Sequence, residues 1–159
     1  ALEPGDLDLL VRWEADHVDA GLRVSPYSRA VLSRYLEESH RDFWDAGQVR
    51  FVLCDPSGSA VGLFDLFNAQ PVHQRAEVAL LVDPSMRKQG LGKSGLLLVE
   101  QWAFGRAGLR SLYAEVFTDN TAALRVFASS GYQSAGVLKA WYRVGREFRD
   151  AELFQRLRS

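Results

Sequence analysis

The apolar positions of this chain change period several times, and each change marks an element. Through LDLLVRWEADH they recur at helical spacing, with Leu7, Leu10, Val11 and Glu14 on one face and Asp6 placed as a cap. Ser25-Pro26 breaks the chain. Ser28 then opens a second helix, RAVLSRYLEESHRDFW, with Val31, Leu32, Tyr35 and Leu36 on one face and Gly47 at its end. After Gly47 the period falls to two. QVRFVLCD and AVGLFDLFN alternate on either side of DPSGS, which predicts an antiparallel hairpin. RAEVALLV, residues 75–82, is more continuously apolar and predicts a strand buried on both faces, stopped by Asp83-Pro84. The helical pattern returns between Gly90 and Ala107, with Gly108 as its stop. SLYAEVF reads as a strand and Asn120 to Ser130 as a helix ended by Gly131. The tail, YQSAGVLKAWYRVGREFRDAELFQRL, reads as two long strands around a turn at Val144-Gly145.

Hairpins give antiparallel pairs, and the strand-helix-strand unit centred on residue 90 favours a parallel one. The pattern therefore predicts an α/β fold of the α+β mixed-sheet kind, with a central mixed sheet and about four flanking helices. No repeat, low-complexity tract or linker divides it, so residues 1–159 are expected to form one domain. The first helix begins almost at once, which leaves an opening edge strand very short or absent.

Composition removes several function classes. The chain has 159 residues, 47% apolar and 25% charged, as in an ordinary globular domain. Its formal charge is -1 with Lys and Arg spread along it, so neither nucleic acid nor a membrane surface is an expected partner. No run approaches the roughly 18 apolar residues of a membrane span. The opening LEPGDLD is acidic and turn-like, so no signal peptide is expected and a cytoplasmic location is the simplest reading. Cys54 is the only cysteine, which excludes an intrachain disulfide and a cysteine-based zinc site; no metal is expected. Its place in FVLC predicts buried packing.

The candidate chemistry lies in MRKQGLGKSG, residues 86–95. Gly92-Lys93-Ser94 is the tail of a phosphate-binding P-loop, whose first glycine would fall at position 87. That position is Arg87, and the apolar strand ending in Asp83 comes before the loop, not after it. Both observations argue against a nucleotide enzyme. A buried strand, Asp-Pro, then Arg-x-x-Gly-x-Gly at a helix start instead aims free N–H groups and the helix dipole at an anion. Gly90 and Gly92 would allow close approach, and Arg87 and Lys93 add positive charge.

VDPSMRKQGLGKSGLLLVEQWAF resembles the acetyl-coenzyme A pyrophosphate loop of the GCN5-related N-acetyltransferases, with Arg87, Gly90 and Gly92 filling its [RQ]-x-x-G-x-[GA] pattern. TDNTAALRVFASSGY resembles a second block of that family through Asn120, Ala123, Val126, Phe127, Gly131 and Tyr132. WYRVGREFRDAELF resembles the closing strands of the branch containing ribosomal-protein and spermidine acetyltransferases, with Gly145, Phe148 and Asp150 in register. The resemblance covers essentially the whole chain. It implies an acyl-CoA N-acyltransferase fold and an enzyme that transfers acetyl from acetyl-CoA directly to a primary amine. The acceptor would be a polyamine, another small amine or a peptide N-terminus, and the chain a monomer or homodimer.

The resemblance also implies roles. Backbone N–H groups of Gln89, Gly90, Leu91, Gly92, Lys93 and Ser94 would hold the pyrophosphate, with Arg87 and Lys88 beside it. The pantetheine arm would lie along Leu80, Leu81 and Val82, between strands 75–82 and 111–117 that splay apart. Asn120 would bond the arm, cap its helix, or do both. Glu77, beside the expected cofactor, is the candidate base or relay; the alternative is pairing with Arg75 or Arg87. Where the family often carries a Tyr hydroxyl, this chain has Phe127, which leaves the general acid unassigned among water, the acceptor ammonium, Tyr132, Ser129 and Tyr142. Phe127 would pack against the cofactor arm or the core. A coenzyme A-binding module without catalysis is the competing reading. Glu37, Glu38, Asp42 and Asp45 make either an acidic wall for a polycation or a solvated face.

Overall fold

The computed structural model describes residues 2–19 and 27–158, with the side chains of 15–19 left aside; the Ser25-Pro26 break lies outside the described residues. A 3₁₀ turn, Pro4–Asp6, leads into helix α1, Leu7–Asp19. Helices α2, Arg29–Glu38, and α3, Phe43–Ala46, precede the meander of β1, Val49–Cys54, β2, Ala60–Gln70, and β3, Arg75–Val82. Helix α4, Leu91–Gln101, runs on through a π-helical turn, Trp102–Arg106, to β4, Ser111–Phe117. Helix α5, Thr121–Ser129, and the hairpin of β5, Gln133–Val144, and β6, Glu147–Leu157, complete the chain.

The sheet has six strands in the order β1-β2-β3-β4-β6-β5. Among the described residues only β3 and β4 pair in parallel; every other neighbouring pair is antiparallel. The mixed α/β sheet is thus as the apolar periods predict. Among the described residues no strand precedes α1.

Three local expectations are corrected. The second helix breaks into α2 and α3, so the described residues hold five α-helices. The Ser39 hydroxyl and N–H both donate to the Leu36 carbonyl, and Asp42 accepts from the Trp44 N–H, so short polar side chains end one helix and cap the next. Strand β3 is not buried on both faces: Ala76 and Val78 are buried but Ala79 is exposed. Cys54 is exposed, because β1 ends there with an irregular register at Leu53/Cys54.

Each face of the sheet has its own core. Helices α4 and α5 cover one face through Leu96, Val99 and Phe127 packed on Phe64, Leu66, Val78 and Leu112. Helices α1 and α2 cover part of the other face through Leu10, Trp13, Leu32 and Leu36 packed on Leu63. Within α1, Trp13 rather than Val11 completes the buried stripe, and Val11 faces solvent. The approach of α4 to the sheet is set by Gly95, where any Cβ would stand inside the van der Waals envelope of the buried Phe64 ring.

Gly95→Ala should therefore destabilise the fold by about 1–3 kcal/mol through overpacking. Gly105→Ala, where a Cβ meets open space, should be neutral or stabilise by up to about 1 kcal/mol. Urea denaturation of both variants checks the pair.

Candidate active site

Strands β3 and β4 pair over only three positions, Arg75, Ala76 and Glu77 with Ser111, Leu112 and Tyr113. Beyond these the two strands follow different partners. β3 stays paired with β2 as far as Val82, and β4 stays with β6 as far as Phe117. The sheet therefore opens between Val78–Val82 and Ala114–Phe117, leaving two strand edges facing a gap. An extended chain can enter such a gap and take up the backbone hydrogen bonds. Leu80 leans on the α4–α5 core and Leu81 on the α1–α2 core, so both line the gap half-buried, with Val82 at its end.

The N-terminus of α4 stands at the open end. Gly90 caps it at φ 78°, a left-handed conformation that glycine adopts freely, and Lys88 is left-handed too at φ 66°. The first bond of the helix runs from the Ser94 N–H to the Gly90 carbonyl at 3.0 Å. The N–H groups of Leu91, Gly92 and Lys93 thus lack intrahelical acceptors and carry the positive end of the dipole. Arg87, Lys88 and Lys93 are exposed around them. The Arg87 Nε donates to the Val82 carbonyl at 3.2 Å, which lays the guanidinium across the end of β3. Gln89 is exposed, its amide directed at the Met86 sulfur. These groups fit a pyrophosphate. Gly92 has a further role: it is buried with the Val126 side chain 3.4 Å from where a Cβ would sit, so it also sets how closely α5 approaches α4.

Asn120 caps α5, its carboxamide oxygen accepting from the Ala123 N–H at 3.1 Å. Phe127 is 3% exposed, edge-on to Tyr132 and stacked on Phe154 in the core. Of the two places expected for Phe127, cofactor arm or core, its ring lies in the apolar core between α5 and β6.

A carboxylate cluster forms where β3 and β4 part. Asn68 Nδ2 donates to Glu77 Oε2 at 2.9 Å. Tyr113 and Glu115 project from β4 on the face opposite Leu112, Ala114 and Val116. Trp141 Nε1 and the Tyr142 hydroxyl both donate to Glu115 Oε2, each at 2.6 Å. Burial pushes the Glu77 carboxyl above its ordinary range; the bond from Asn68 draws it back, Glu115 adds to the rise, and the Tyr113 hydroxyl lowers it. Burial raises Tyr113 as well, reinforced by Glu77 and Glu115. The alternative pairing of Glu77 with Arg75 or Arg87 is not formed; Arg75 bonds Gln70 and Arg87 bonds Val82. Among the hydroxyls considered, Ser129 donates to the Val126 carbonyl, Tyr132 is buried beside Glu100, and Tyr142 alone joins this cluster. Glu115, Tyr113 and Asn68 were not singled out from sequence, although the strict alternation of SLYAEVF carries the signal for the first two.

A cleft of about 580 Å³ opens between α1, α2 and strands β1–β3 and reaches Ala79 on β3. Glu14, Arg34, Tyr35, Glu38, Arg50 and Asp65 line it. Arg50 bonds Asp65 through Nε at 2.6 Å and Nη2 at 2.5 Å, with its guanidinium over the Tyr35 ring at 5.4 Å. Glu14 accepts from the Tyr27 N–H at 3.2 Å. Of the acidic wall, only Glu38 reaches the cleft; Asp42 is used as a helix cap, and Glu37 and Asp45 lie outside. His73 is an exposed loop residue, and Trp44 and Trp102 pack around Phe43.

A sheet opened at its parallel pair beside a glycine-capped helix defines a domain built to seat an extended, anion-bearing ligand. The profile of the Acetyltransferase (GNAT) family matches residues 20–132, and the chain belongs to that family. N-alpha-acetyltransferase RimI of Mycobacterium tuberculosis is 30% identical over 149 residues, 89% of this chain and 87% of the relative. Spermidine N(1)-acetyltransferase of Escherichia coli K12 is 28% identical over 127 residues, 79% of this chain but only 66% of the relative. The fold matches spermidine N-acetyltransferase of Vibrio cholerae, solved in complex with CoA and spermine, at a TM-score of 0.88 and 21% identity, over 99% of this chain and 92% of that one.

The Arg50–Asp65 pair should hold the cleft floor. Its side chains are only 13% and 21% exposed, so Asp65→Ala strands a largely buried guanidinium and should cost about 2–4 kcal/mol. Urea denaturation measures the loss; a midpoint within error of wild type would show that the pair contributes nothing.

Proposed function

We propose that the chain transfers acetyl from acetyl-CoA to a primary amine by direct attack. The observation that carries this reading is the gap between β3 and β4, with the α4 N-terminus at one end and the Glu77–Glu115 cluster at the other. Acetyl-CoA supplies an activated thioester when bound. The free N–H groups of Leu91, Gly92 and Lys93, with Arg87 and Lys88, hold its pyrophosphate. The β3 edge at Leu80, Leu81 and Val82 aligns the pantetheine arm as an added strand, and its N–H groups polarise the thioester oxygen. Asn120 caps α5 through its carboxamide oxygen, and its amide N–H₂ would donate to that arm.

The acceptor enters by the cleft under α1 and α2. An alkylammonium has a pKa near ~10.4 and must lose a proton before it can attack. Glu77 takes that proton, directly or through water, and burial raises its pKa in the direction a base needs. Phe127 supplies no acid. Tyr113 and Tyr142 are the hydroxyls beside Glu77, but each gives its one proton to a carboxylate, Tyr113 to Glu77 and Tyr142 to Glu115, so the ammonium formed on attack or a water would protonate the departing thiolate. The acidic residues of the cleft favour a cationic acceptor, whether a polyamine, another small amine or a protein N-terminus. Names of the relatives support the first and last of these.

Calorimetric titration with acetyl-CoA, CoA and MgATP side by side tests the cofactor. Binding of the first two and not the third is expected; binding of MgATP alone would sink the reading. Gly90→Asp, which places a carboxylate at the pyrophosphate and a side chain at a left-handed φ, should abolish acetyl-CoA binding.

Glu77→Gln tests the base. In wild type kcat/KM should rise with pH through the Glu77 pKa, because the carboxylate is the active form. The variant should lose that limb and fall about 100-fold near neutral pH. An unchanged pH–rate profile would remove Glu77 from the mechanism.

A further inference from the structure

Asp150 belongs to the closing pattern of the sequence, yet no chemical step above uses it. It stands opposite an irregularity in β5. The strands pair at Leu138 with Ala151 and at Tyr142 with Arg149, so four residue steps on β5 face two on β6. The two extra residues form a bulge, in which Ala140 adopts a left-handed φ of 50°. That conformation is unfavourable for any residue with a Cβ. Packing does not hold it, because Lys139, Ala140 and Trp141 are all exposed. Asp150 does: Oδ1 accepts from the Ala140 N–H at 2.8 Å and Oδ2 from Lys139 Nζ at 2.8 Å. Its carbonyl also accepts from the Thr118 N–H at 3.1 Å, which ties the bulge to the end of β4.

The bulge changes where side chains point. In a regular strand Trp141 and Tyr142 would face opposite sides of the sheet. Here both donate to the same oxygen of Glu115. Glu115 in turn stands within electrostatic range of Glu77, where the sheet opens.

Resting on the acetyl-transfer reading above, we propose that Asp150 is a positioning residue of the reaction. By bonding the Ala140 N–H it holds the β5 bulge, brings the Trp141 indole and Tyr142 hydroxyl onto Glu115, and so fixes that carboxylate beside Glu77. Two charge-assisted bonds to one oxygen leave the carboxylate little rotational freedom. A misplacement of about 1 Å there costs on the order of 100-fold in rate.

The test needs a readout that does not depend on turnover. The Trp141 indole N–H, assigned by its disappearance in Trp141→Phe, should appear downfield and exchange slowly in a proton–nitrogen correlation spectrum. In Asp150→Ala it should move to the position of a solvent-exposed indole. In the same variant kcat should fall about 10- to 100-fold while KM and Kd for acetyl-CoA stay unchanged. Asp150→Asn keeps an oxygen for Ala140 and should retain the resonance and kcat within about threefold.

An unmoved Trp141 resonance in Asp150→Ala, or loss of acetyl-CoA affinity in step with kcat, overturns the positioning role. So does a folded Asp150→Asn variant that loses both resonance and rate, whatever becomes of the alanine variant. Wild-type protein that binds acetyl-CoA but acetylates no amine overturns the transfer reading, and the positioning role with it. A fault in the Asp150 argument alone leaves wild-type turnover intact.

Discussion

The short parallel contact between β3 and β4 is the constraint on which the rest of the site depends. Three residue pairs join the two strands, and after Glu77 and Tyr113 each strand follows its antiparallel partner away from the other. A continuous sheet would satisfy more backbone groups internally. The opening exists because antiparallel pairing on both flanks is maintained along the whole of each strand and carries the divergence. It places an unsatisfied strand edge, a helix N-terminus and a pair of carboxylates within one small region, each exposed to the gap for the same topological reason.

Much of this was legible in the sequence, because the features around the N-terminus of α4 are local. The strand, the Asp-Pro stop, Arg87 and the spaced Gly90 and Gly92 are contiguous, and the left-handed φ at Gly90 is what a glycine at that position foretells. The mixed character of the sheet followed from turns and periods in the same way. The carboxylate cluster was less legible because it is assembled from β2, β3, β4 and β5, whose relevant residues are far apart in sequence. Glu77 could be singled out by its strand, but its neighbours Glu115 and Asn68 depend on sheet order and register. The bulge at Ala140 had no signal in sequence, since no glycine marks it.

Two other differences share one physical cause. Apolar periodicity shows which face of an element is buried but not how much of that face a partner covers. Helices α1 and α2 reach only part of the second face of the sheet, so Ala79 on β3 is exposed despite an apolar neighbourhood, and the cleft lies where coverage ends. The break between α2 and α3 reflects a competition that periodicity also misses. Ser39 and Asp42 offer the backbone side-chain bonds that a continuing helix would have to replace.

The narrow seam between β3 and β4 also has a kinetic meaning. β1, β2 and β3 are successive strands joined by short turns, and β5 and β6 form a hairpin, so each set closes small loops. β4 must instead find β6 across α5 and β5, and the two halves of the sheet meet only at the three-pair seam. Loop-closure entropy therefore orders the folding reaction: two locally built halves form early, and their docking, with α4 laid across Phe64, comes late. The region that seats the ligand is the last to be completed, so a chain stalled before that step has its strands and hairpins but no site.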